Sequence, residues 1–111
     1  MEDTMNEQQS PAYAAVRHIL TTPNVADRCA PHIREQDFDW SRLLTESATM
    51  SGGEQLLVRI AHDLWEASGA VGIGELPRRL GPASFERVID ALELYRGDLP
   101  RRTNQVLYEV A

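Results

Sequence analysis

The chain has 111 residues, a formal net charge of -6, 42% hydrophobic residues and 25% charged residues. That length holds one domain with a real core, burying roughly two-thirds of its unfolded surface, and the hydrophobic content excludes a wholly disordered chain. The acidic balance works against non-specific attraction to nucleic-acid phosphates or anionic membranes, because the field of the whole molecule repels them.

Every basic residue is an arginine, and the acids outnumber the arginines more strongly before Met50 than after it. Any anion-binding surface is therefore expected in the C-terminal part. The single cysteine, Cys29, cannot form an internal disulfide, and neither a signal segment nor a long apolar span is present. A reducing cytoplasmic setting without membrane association is expected. Residues 1–9 are polar and acidic without apolar spacing and read as a flexible tail. Residues 10–111 read as a single helical domain, with N-terminal helices over 10–48 and core helices and a C-terminal segment over 51–111.

Ser10-Pro11 reads as an N-cap followed by proline at the first helical position, and Tyr13, Val16, Ile19 and Leu20 then recur at helical spacing. The spacing predicts a helix over 11–20. Asn24 is expected to cap a second, irregular segment in which Val25, Cys29 and Ile33 share a face, broken at Pro31 for want of an N–H. A third helix is predicted from Asp37 or Asp39 to about Ala48, with Phe38, Trp40, Leu43 and Leu44 as its apolar side chains. The fourth, from Ser51 to about Ala67, carries Leu57, Ile60, Ala61 and Leu64 on one face and Arg59, Asp63 and Glu66 on the other, and is expected at the centre of the core. Ser68-Gly69 ends it, and Ala70 to Ile73 reads as one short strand or a packed connector. A short helix over 74–80 and a long one carrying Phe85, Val88, Ile89, Leu92 and Tyr95 follow, separated by Gly81-Pro82, and Gly97 closes the second. Residues 103–111 alternate apolar and polar side chains and read as a strand or a short terminal helix.

Met50-Ser51-Gly52-Gly53-Glu54-Gln55-Leu56-Leu57 is the most distinctive run. Residues 50–65 resemble, locally, the signature motif of ABC-type and SMC/Rad50-type ATPases. That resemblance implies backbone N–H groups turned toward the γ-phosphate of a nucleotide held by an opposite subunit. The partner features of such a site are missing from the sequence: it contains no Gly-x-x-x-x-Gly-Lys-Ser/Thr loop and no lysine. Ser51 at the N-cap with Glu54 three residues on also satisfies a capping box, and that reading is preferred.

The order of elements from Glu54 onward, with helix, short extended stretch, short helix, turn and long helix, resembles a helix-turn-helix or winged-helix domain. The resemblance implies a reading helix in the major groove and a wing near residues 106–110, with Arg78, Arg79, Arg87, Arg101 and Arg102 as nucleic-acid contacts. The presumptive reading helix, however, also carries Glu86, Asp90 and Glu93.

No catalytic constellation stands out. His62 and Asp63 are neighbours and diverge by about 100° on a helix, whereas His62 and Glu66 are spaced for an intrahelical pair. Cys29 and His32, with His18 upstream, are metal-ligand types but fall short of the four ligands a closed site takes. Trp40 and Trp65 are expected to clamp the third helix to the fourth.

Sequence alone thus predicts a mainly α, compact bundle of about five to six short helices. A minimal β element is allowed, pairing 71–73 with 106–110, and a winged-helix-like C-terminal half is the alternative fold. The expected role is a small intracellular protein-interaction or regulatory protein without catalytic activity, metal or cofactor. It would bind a protein partner or a second copy of itself, with Trp40, Trp65, Tyr95 and Tyr108 as candidate contacts. A nucleic-acid-binding regulator using the arginine pairs is the alternative.

Overall fold

A computed structural model describes residues 10–97, which fold as six helices with one short β-hairpin. The expected tail over 1–9 and the C-terminal segment over 103–111, including any strand at 106–110, lie outside the described residues. None of the described helices is long and apolar enough to cross a membrane.

Helix α1, Pro11–Leu20, starts where Ser10 accepts a hydrogen bond from the Tyr13 N–H at 3.0 Å and Pro11 occupies the first turn, and it buries Tyr13, Ala15, Val16, Ile19 and Leu20. Helix α2, Pro23–Cys29, begins at a Thr22 cap rather than at Asn24, because Pro23 takes the first-turn position and the Thr22 hydroxyl donates back to the Ile19 carbonyl at 2.7 Å. Pro31 falls in a 3-10 turn over Ala30–His32.

A two-stranded antiparallel hairpin follows, β1 Ile33–Arg34 and β2 Asp37–Phe38, with Ile33 opposite Phe38. Phe38 therefore belongs to a strand and not to the third helix, and it stacks on Tyr13 with ring centroids 4.9 Å apart. The Tyr13 hydroxyl donates to the Arg34 carbonyl at 2.5 Å, fastening the hairpin to α1.

The only β pairing among the described residues is this one; residues 71–73 form no strand, the chain bending at Val71 and turning at Ile73 and Gly74. The reason is a competition for donors. A ladder needs backbone N–H groups, but those of Val71 and Gly72 are taken by the carboxylates of Asp63 at 2.9 Å and Glu75 at 3.2 Å.

Helix α3, Trp40–Ser47, is capped by Asp39, which accepts from the Arg42 N–H at 3.2 Å. Arg28 binds the Glu46 carboxylate and carbonyl and the Thr49 hydroxyl, tying α2 to the end of α3.

Helix α4, Gly52–Glu66, opens with a complete capping box: the Glu54 N–H donates to Ser51 Oγ at 3.3 Å and the Ser51 N–H to the Glu54 carboxylate at 3.2 Å. Leu56, Leu57, Val58, Ile60 and Ala61 are all buried, so this helix is covered on more sides than the single stripe of its sequence suggests. Its two first-turn glycines cost roughly 1 kcal/mol each against alanine in helix propensity, and at Gly53 backbone packing explains the residue. A Cβ on Gly53 would stand 3.3 Å from the Arg79 carbonyl oxygen, and one on Gly52 3.1 Å from the Arg79 guanidinium.

Helix α5, Glu75–Arg79, tolerates Pro77 in its first turn, where N–H groups have no intrahelical acceptor. Helix α6, Pro82–Arg96, begins with proline in its first turn and ends on Gly97 in the left-handed region, φ 95°. Helix α1 packs chiefly against α6 and α4. Arg87 on α6 reinforces the first of these seams by donating to the His18 carbonyl at 2.7 Å and the Thr21 hydroxyl at 2.9 Å.

The end of α4 departs from the glycine stop that Ser68-Gly69 suggests. The left-handed cap falls one residue before that pair, on Ala67, at φ 57°. A Cβ in that region costs about 1–2 kcal/mol. Ala67→Gly is therefore expected to raise stability by about 1 kcal/mol, seen in thermal unfolding as a midpoint roughly 4–8 °C higher; an unchanged or lowered midpoint would contradict the cap assignment.

Candidate docking groove

The connector between α4 and α5 is a built loop. Asp63 lies in the last turn of α4, where a carboxylate faces the negative end of the helix dipole and is locally disfavoured. It is offset by three donors from the loop itself: the Ser68 hydroxyl at 2.9 Å, the Gly69 N–H at 2.6 Å and the Val71 N–H at 2.9 Å. These bonds, led by the one from Val71, hold the Asp63 carboxyl down to about 2.

Glu75 does the equivalent work at the other end. It accepts from the Gly72 N–H at 3.2 Å and forms ion pairs with Arg59 at 3.5 Å and Arg79 at 3.3 Å. The Gly72 bond and then the two arginines lower its carboxyl below the ordinary glutamate value.

Held at both ends, the connector forms one wall of an open apolar groove of about 260 Å³. Ile60, Asp63 and Leu64 of α4, Val71 and Ile73 of the connector, Leu76 of α5, and Val88 and Leu92 of α6 line it. Ile73, flanked by Gly72 and Gly74, is 83% exposed, and Leu92 and Tyr95 on α6 are 38% and 41% exposed. Those three are most of the large exposed hydrophobics; the other, Leu44, sits on α3 and does not line the groove.

The residues proposed from sequence are distributed differently. Trp40 and Trp65 are half-buried and converge on Phe38, at centroid distances of 5.4 and 5.1 Å, and Trp40 also packs on the His62 ring at 4.8 Å. They close the seam between α4 and the hairpin–α3 segment, as a clamp. Tyr95 lies one turn beyond Leu92, beside the groove. Tyr108, Arg101 and Arg102 lie outside the described residues.

Arg78 is exposed at the end of α5. Arg79 is engaged by Glu75 over the start of α4, and the guanidinium of Arg87 is directed to α1.

His62 and Glu66 form the intrahelical pair expected of their spacing, at 3.9 Å. Cys29 is buried, and that burial pushes its thiol up to about 11, so it is a packed apolar group rather than a nucleophile. No cluster of three or more metal-ligating side chains occurs among the described residues.

None of the groove-lining residues is among the contacts proposed from sequence; Asp63, Val71 and Ile73 read there only as a polar-face residue and a short strand or connector. Two signals for them exist: an isoleucine isolated between two glycines, and an aspartate at the end of an apolar helix followed by Ser-Gly, whose donors it can gather.

Comparison with family models, with curated proteins and with solved structures gives no match.

The Asp63 clasp has a defined pH dependence. Its folded value, about 2, lies below the ordinary 3.8, so its contribution is present above that ordinary value and is lost as pH falls through 2. A side-chain NMR titration is expected to give an Asp63 midpoint near 2, with the Gly69 and Val71 amide signals moving in step. A midpoint near 3.8 would show that the clasp does not form in solution.

Proposed function

We propose that this chain is a non-catalytic, intracellular interaction protein that docks an apolar segment of a protein partner in the groove between α4, α5 and α6. The observation that carries this reading is Ile73. It stands 83% exposed on a loop held by two carboxylates, above a groove lined by aliphatic side chains. Apolar side chains grouped on a surface mark interaction sites more often than scattered ones do. A wall ordered before binding also lowers the entropy cost of docking. Leu92 and Tyr95 extend the apolar edge along α6, so Tyr95 is the sequence-derived contact that fits this surface; Trp40 and Trp65 belong to the clamp.

The nucleic-acid alternative draws less support. A helix, a short helix and a long helix do follow one another over 52–96, as in a helix-turn-helix. Of its contacts among the described residues, Arg79 is paired with Glu75 and Arg87 is turned to α1, while Glu86 lies exposed on the long helix.

Capture from native lysate with the wild-type chain and with an Ile73→Ser, Leu92→Ser double variant tests the docking reading. A stoichiometric partner held by the wild type is expected to be lost, by about tenfold or more, from the variant, given that central apolar anchors carry most interface energy. The same partner recovered equally by both chains would place the interaction elsewhere. Ile73 is exposed, so its substitution leaves the core intact, and a circular-dichroism melt of the variant verifies folding.

A further inference from the structure

We draw no further inference here: the strongest candidate, the apolar groove between α4, α5 and α6 with Ile73 exposed above it, belongs to the site already described, and nothing in the structure shows what covers it.

Discussion

The carboxylate of Asp63 is the constraint on which the upper half of the fold depends. Placed in the last turn of α4, it works against the helix dipole, yet it gathers a hydroxyl and two amide N–H groups from the loop that follows. Those donors would otherwise need water or a β ladder. By supplying their acceptor, Asp63 turns a stretch without regular secondary structure into a fixed wall. Glu75, the first residue of α5, closes the same loop from the other side.

Helix α4 carries this arrangement at both ends. Its start is sealed by the Ser51–Glu54 capping box, and its glycines let Arg79 of α5 approach closely. Arg59, from the helix middle, binds Glu75. The short helix α5 is thus anchored to α4 by backbone contact at one end and by an ion pair at the other, each modest because the groups are partly solvated. Against this frame α6 buries Val88 and presents Leu92, and α1 packs on α4 and α6 with a fully buried row including Val16, Ile19 and Leu20. The groove is the place where these elements leave apolar side chains uncovered.

Helical periodicity made the regular elements legible. The Ser10-Pro11 and Ser51–Glu54 starts, the long α6 and its Gly97 end all follow from local chemistry that acts within one turn. The features that escaped are those decided by longer-range competition. The hairpin at 33–38 depends on Phe38 stacking against Tyr13 on another element, so Asp37 and Phe38 resemble a helix start until that contact is known. Residues 71–73 have strand-like composition, but carboxylates from neighbouring helices claim their N–H groups. The same clasp moved the helix end onto Ala67 and hid the groove, since Asp63 and Arg59 look like ordinary solvated positions on the polar face of α4. Arg87 was likewise readable as an exposed cation, whereas its guanidinium reaches α1.

Hydrogen exchange in an Asp63→Ala variant tests most directly whether this one carboxylate holds the groove wall. The account predicts that the Gly69 and Val71 amides lose their protection while those of Leu57 and Ile60 in the buried centre of α4 retain it. Connector amides as slow to exchange as in the wild-type chain would contradict it.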